Sequence, residues 1–391
     1  MIVLLALLFF APQQTFDSAY RAGLVALGNN DLATAQAQLE TASRLQPTNA
    51  QVWLALAQTF FKLEKPKLAD AAAIKAETLG AADPLVLHGL AFYYAEARAP
   101  AKAAELEARY AARAPQDASA YARAIDLYLR AEQPKPAIEL ARKVVADADS
   151  ADVRELLGKA YEQDGQVEKA LIEFQQAAKL RPFDESFTFD LAQAYLRRQK
   201  FSEALNVLQS ARERFDKSAQ IELATGVALY GLRRFPETID AFLRTIQLAP
   251  ELEQPYIFLG RILDQAEGKM PDVTGALATF ASLKPDNYMS SFLYAKALGV
   301  QHAEPAQVEP LLRKSIALNA NYWEAHFELG SVLESKRDYA GAATELEKAA
   351  DLNPKDATAH YRLARVYDRL GKPAQAASQR ALHSKLTEAV K

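Results

Sequence analysis

Apolar side chains along this chain recur at i, i+3, i+4 and i+7, the spacing that gathers them on one face of an α-helix, as with Leu157, Tyr161 and, further on, Phe174. Within these stripes a row of small residues returns about every 34 residues, at Gly23, Ala57, Ala91, Gly158, Ala192, Gly226, Gly260, Ala295, Gly330 and Ala364, with Ile125 as its one interruption. A second row follows about twelve positions behind, through Ala35, Ala69, Ala103, Ala137, Ala170, Ala204, Thr238, an offset Ala276, Ala342 and Ala376. Two packed helices per repeat account for both rows. Small side chains let paired helices approach at the short end of the roughly 8–10 Å interaxial range, so a Gly or Ala on the first helix is expected to face a small residue on the second.

The boundaries are equally regular. Corners such as Pro47-Thr48-Asn49, Pro115-Gln116-Asp117, Pro182-Phe183-Asp184 and Pro354-Lys355-Asp356 stop one helix with Pro and cap the next with Asn or Asp. Turns inside the pairs carry Asn29-Asn30-Asp31, Asp164-Gly165 and Leu370-Gly371, residues tolerant of positive φ. Counting on this register predicts an apolar segment at 1–15 and an array over 16–391, with about eleven units starting near 16, 50, 84, 118, 151, 185, 219, 253, 288, 323 and 357. The rhythm is irregular over 253–322. Residues 266–275 predict a turn lengthened by about four residues, and the next unit lacks the small residue on its second helix while holding His302, Pro305 and Pro310. A drifted repeat and a partner-specific loop or hinge both fit this stretch.

Leu157-Gly158, Tyr161, Ala170, Phe174, Ala177 and Pro182 are spaced as in a tetratricopeptide unit; Leu329-Gly330, Leu333, Ala342, Leu346, Ala349 and Pro354 repeat the pattern, as do Gly23, Ala35, Leu39, Ala42 and Pro47. The chain resembles the tetratricopeptide repeat family throughout 16–391. The resemblance implies an all-α solenoid, a right-handed superhelix of helical hairpins, whose polar last helix from Ala374 caps the open end.

Composition narrows the function. Lys and Arg number 46 against 49 acidic residues, a net charge of −3 that leaves no positive field for a nucleic acid backbone. The chain contains no Cys, which excludes disulfides, thiolate metal sites and thiol nucleophiles. Ile2 to Phe10 form an apolar run too short to span a bilayer as a helix and long enough for a signal-peptide core, although no basic residue precedes it and Phe9-Phe10-Ala11-Pro12 lacks a small-x-small junction. Export to a periplasmic or extracellular space is the expectation; an uncleaved membrane anchor and a cytoplasmic protein with an apolar end are the alternatives.

No catalytic constellation is legible. The five histidines, at 88, 302, 326, 360 and 383, stand in no metal-ligand or triad context and read as structural; His326 and His360 occupy one place in adjacent units, where the family often has Trp. The glycines are isolated, with no phosphate-loop pattern. Neither cofactor nor metal is expected.

In the resembled family the first helices line a concave groove, and the residue three before the small one points into it. Here that row runs Tyr20, Leu54, His88, Ala122, Glu155, Phe189, Leu223, Ile257, Phe292, Phe327 and Tyr361. The last six make an apolar stripe, read either as anchors for a partner or as packing between repeats. One turn on, Lys159, Arg197, Arg261, Lys296 and Arg365 rim the groove, with Arg197, Arg261 and Arg365 as candidate steering charges. The clamp of chaperone-binding members is missing, since its places hold Glu155 and Lys159, Phe189 and Gln193, and Leu223 and Val227. The resulting expectation is a non-catalytic scaffold holding a protein or peptide segment at Phe189, Leu223, Ile257, Phe292, Phe327 and Tyr361. A structural subunit of a bacterial-type envelope complex and an accessory subunit to an enzyme on another chain remain alternatives.

Overall fold

The structure, a computed structural model, describes residues 14–388, so the apolar run Ile2–Phe10 lies outside the described residues. Among the described residues there are 22 α-helices, one short 3-10 turn and no strand. They form eleven antiparallel hairpins, from Phe16–Gly28 with Leu32–Leu45 to Ala357–Arg369 with Pro373–Glu388. The chain divides into two compact units, one up to Phe187 and one from Thr188 onward, with the boundary inside helix Glu185–Arg197.

The hairpins form where the sequence places caps and turns. Asn49 accepts hydrogen bonds from the Gln51 and Val52 N–H groups, and Asp83, Ser218, Asn287 and Asp356 cap their helices in the same way. Pro opens several second helices, at Pro66, Pro100, Pro134, Pro305 and Pro373, where its missing N–H has no partner to lose. Each of the eleven internal turns holds one residue of positive φ, and only Gly165, Gly268 and Gly371 of these are glycines. The others are Asn30, Glu64, Arg98, Glu132, Gln199, Arg233, His302 and Arg337, with φ of 55–63°. They are held there by paired closing bonds: the Arg337 N–H reaches the Glu334 carbonyl at 3.0 Å, and the Asp338 N–H reaches the Leu333 carbonyl at 2.9 Å.

The ten small residues of the first row are all buried, as is Ile125 in the fourth hairpin, yet the partner of the row differs from the expected one. Four glycines of the row face the large side chain four positions beyond the second small residue, Gly23 meeting Leu39, Gly158 Phe174, Gly226 Phe242 and Gly330 Leu346, whereas Gly260 meets Leu293 of the next hairpin. The missing Cβ makes a seat for a Leu or Phe, and these side chains are fully buried. Ile125 fills that seat itself. Helices Ala120–Arg130 and Pro134–Asp147 accordingly pack less intimately than most other pairs, and Ala120–Arg130 leans instead on Pro100–Ala111 before it.

The eighth hairpin corrects the expected four-residue insertion. Its first helix stops early, at Arg261, and continues as the 3-10 turn Leu263–Gln265, while the second begins at Met270. Met270 stands ten residues beyond Gly260, where Tyr339 stands nine beyond Gly330, so one residue is added and the rest is unwound helix. That shift leaves Ala276 half-buried and puts Val273 and Leu277 in the core. Val308 and Leu312 fill the same places in the ninth hairpin, replacing the small residue found missing there. No helix among the described residues is long and apolar enough to cross a membrane.

Candidate partner-binding groove

In the second unit, the first helices of the sixth, seventh and eighth hairpins enclose a cavity of about 390 Å³. Phe189, Leu223 and Arg197 of the expected row line it, together with Phe258 and the amides of Gln193, Gln220 and Gln254. Among the described residues, no intramolecular hydrogen bond engages those three amides. A side-chain amide offers one acceptor and two donors, the same complement as a peptide unit, so the cavity pairs an apolar floor with neutral groups able to read main chain.

The remaining expected residues do not share one surface. Ile257 packs against the core while its neighbour Phe258 faces the cavity, stacked on Phe242 at 5.0 Å and crossed by Arg261 at 5.8 Å. Phe292 is 5 % exposed and sits edge-on to Tyr322, so its surface is consumed by packing between repeats. Phe327 is half-buried beneath the Arg362 guanidinium at 5.3 Å. Tyr361 is 47 % exposed, with Arg365 over its ring, and Arg365 also pairs with Glu334 at 3.3 Å. Of the other rim charges, Lys159 pairs with Glu155, and Lys296 donates to the Gly260 carbonyl at 3.1 Å.

A cavity of about 760 Å³ lies between the ninth, tenth and eleventh hairpins, where Lys296, Glu328 and Arg362 stand among Val300, Pro305 and Leu312. Burial pushes the Glu328 carboxyl above its usual range, with Lys296 and Arg362 partly opposing the shift. A smaller cavity of about 210 Å³ in the first unit holds the exposed Phe92 beside buried Glu107, which accepts hydrogen bonds from Arg123 and contacts His88 Nδ1 at 2.9 Å. Sequence reasoning met Gln193 only as a departure from the chaperone clamp, and it passed over Gln220, Gln254, Phe258, Glu328 and Arg362. Their signal was available in the places one to three residues off the chosen row, which a single-phase reading leaves out.

The tetratricopeptide repeat family model matches residues 20–86, 122–185, 189–253, 300–354 and 327–382, well over half of the chain. The chain belongs to the tetratricopeptide repeat family. The matched segments of this tetratricopeptide protein omit 87–121 and 254–299, the second of which contains the eighth hairpin with its unwound helix. No curated protein matches it. Similar solved structures include the Cut9-Hcn1 hetero-tetramer of the APC/C, at 13 % identity over 95 % of this chain and 94 % of that one, with a TM-score of 0.43. Another is the yeast Tom70, at 15 % identity over 95 % and 92 %, with a TM-score of 0.39. A third is Naa15/Naa10 bound to HypK-THB, at 14 % identity over 94 % and 68 %, with a TM-score of 0.42.

Within the tetratricopeptide frame the histidines acquire a definite task. At the place where Trp53 donates its indole N–H to the Pro47 carbonyl at 2.9 Å, His326 and His360 donate Nε2–H to the Ala320 and Pro354 carbonyls at 3.1 Å. A carbonyl only accepts, which assigns the proton to Nε2. Tyr256 does the same with its hydroxyl to Pro250. In the seventh hairpin that place holds Glu222, which has no N–H to give, and Arg244 supplies the bond to the Asp216 carbonyl at 3.1 Å. The donor in each case fastens an inter-hairpin corner, so these histidines are staples of the repeat. No group of three or more His, Cys, Asp or Glu among the described residues is arranged to hold a metal ion.

Proposed function

We propose that this tetratricopeptide protein is a non-catalytic scaffold that holds a protein or peptide segment along its first helices, chiefly at the sixth to eighth hairpins. The observation that carries this reading is the cavity walled by Phe189, Leu223 and Phe258 and fringed by the unengaged amides of Gln193, Gln220 and Gln254. An apolar floor supplies burial energy, about 25 cal/mol per Å² of apolar surface covered. Neutral amides can pair with a main chain without the desolvation penalty a buried ion would bring. Family membership supports the same direction, because stacked helical hairpins present long continuous surfaces to partners.

The test is affinity capture from cells of the native source with the unaltered chain and with a Phe189→Ser, Gln254→Ala double variant. Proteins retained by the first and lost from the second, with helicity and melting midpoint unchanged, are the expected result. An identical captured set from both would refute the groove.

A further inference from the structure

A cleft of about 500 Å³ opens between the second helices of the sixth and seventh hairpins, Phe201–Arg214 and Phe235–Leu248, apart from the groove on the first helices. Its wall is formed by Gln209, Arg212, Glu213, Asp216, Glu222 and Arg244. Glu222 is 3 % exposed and takes the place that a hydrogen-bond donor occupies in the second, eighth, tenth and eleventh hairpins. Its Oε1 accepts from Arg212 Nε at 3.0 Å and faces Arg244 Nε at 3.6 Å. Arg244 directs its terminal nitrogen to the Asp216 carbonyl instead, at 3.1 Å. The Oε2 of Glu222 is left shielded from solvent with no donor.

A buried carboxylate oxygen without a donor is costly, and the wall does not supply one. Two guanidinium groups stand against the carboxylates of Glu213, Asp216 and Glu222, leaving the cleft one negative charge in excess. The Glu213 and Asp216 carboxylates make no ion pair among the described residues. We infer that this cleft is a receptor for a primary ammonium group, which brings three N–H donors and a single positive charge to Glu222 Oε2, Glu213 and Asp216. An anion is disfavoured by the same three carboxylates. Arg244 is 47 % exposed and stays fastened to the Asp216 carbonyl at 3.1 Å, while its Nε stands 3.6 Å from Glu222, so the ammonium enters beside it from the solvent side of the cleft.

The probe is n-butylammonium, titrated into the full chain and followed by backbone amide shifts over 209–222 and at 244, with tetramethylammonium as a cation of equal charge that carries no donor. The expected result is saturable shifts with butylammonium alone, weakened about tenfold or more by Glu222→Gln, the loss of roughly one charge-assisted bond. A rim variant, Glu213→Gln with Asp216→Asn, leaves the buried group intact and is expected to weaken binding in the same direction. Equal shifts with tetramethylammonium, undiminished binding in both variants, or soaked crystals with only an ordered water at Oε2 would overturn the site. Spermidine and Nα-acetyl-lysine N-methylamide then distinguish the source: the tighter of the two marks either a free polyamine or a lysine of a partner chain, and both orders uphold an ammonium receptor.

Discussion

Gly158 lies flat against the ring of Phe174, and a Cβ built on the glycine would stand 2.8 Å from the ring carbon Cε1. The relationship recurs between Gly330 and Leu346, so in these hairpins a large side chain occupies the space a methyl group would take.

Gly158→Ala is therefore expected to destabilise the chain by about 1–3 kcal/mol, as overpacking does when the neighbour is buried and has nowhere to go. Gly275 is the control. It sits inside helix Met270–Leu283 with nothing within 4 Å of a built Cβ, so Gly275→Ala should stabilise by about 0.5–1 kcal/mol through helix propensity alone. Urea unfolding of both variants measures the difference, and equal shifts of one sign would contradict the packing argument.

The internal turns give a second pair. Arg337 holds φ at 63° and Gly371 does so at 69° in the equivalent turn of the next hairpin. Removing the Cβ by Arg337→Gly relieves a left-handed conformation and is expected to raise stability by up to about 1 kcal/mol, the unfolded chain's added freedom offsetting part of the gain. Gly371→Ala should lower it by about 1 kcal/mol. Thermal unfolding reads both signs.

Tyr256 is wholly buried, its hydroxyl 2.9 Å from the Pro250 carbonyl and its ring stacked on Phe280 at 4.4 Å. Tyr256→Phe keeps the ring and deletes one corner bond, so a loss of about 1 kcal/mol is expected in denaturant unfolding. No loss would mean that the corner is fastened elsewhere.

Two carboxyls should respond to pH with opposite signs. Hydrogen bonds from Arg123 and then Ser119 hold the Asp117 carboxyl well below the usual carboxylate range. Its stabilisation is present above the unfolded-state value near ~3.9 and drains away as pH falls through the depressed folded value. The stability gap between the native chain and Asp117→Asn should thus be full at neutral pH and shrink in acid. Burial raises Glu328, so its ionisation opposes folding: Glu328→Gln should stabilise at neutral pH, with the gain vanishing as pH drops below the unfolded-state value near ~4.3. Unfolding curves at a series of pH values compare each variant with the native chain.

The histidines divide along the same line between pattern and packing. Their placement at a Trp-like position in two adjacent units identified them as structural, but not what they do there. The task emerges only when the corner carbonyl of Ala320 or Pro354 is brought within 3.1 Å of Nε2.

What the amino-acid order determined by itself is the module: its period of about 34, the small row, the Pro-Asx corners and the number of hairpins, because each follows from local backbone rules that act within a few residues. Which side chain seats on which glycine depends on the axial offset between two helices, and offset is a tertiary quantity; hence Phe174 lies over Gly158 where a small residue was expected. Positive φ at Glu64, Arg98 and Arg233 is likewise imposed by closing bonds between helix ends, which override residue preference. The groove was half legible for the same reason. A cavity between adjacent first helices is walled by opposite flanks of its neighbours, so one phase of the repeat found Phe189 and Leu223 but could not find Phe258, Gln220 or Gln254.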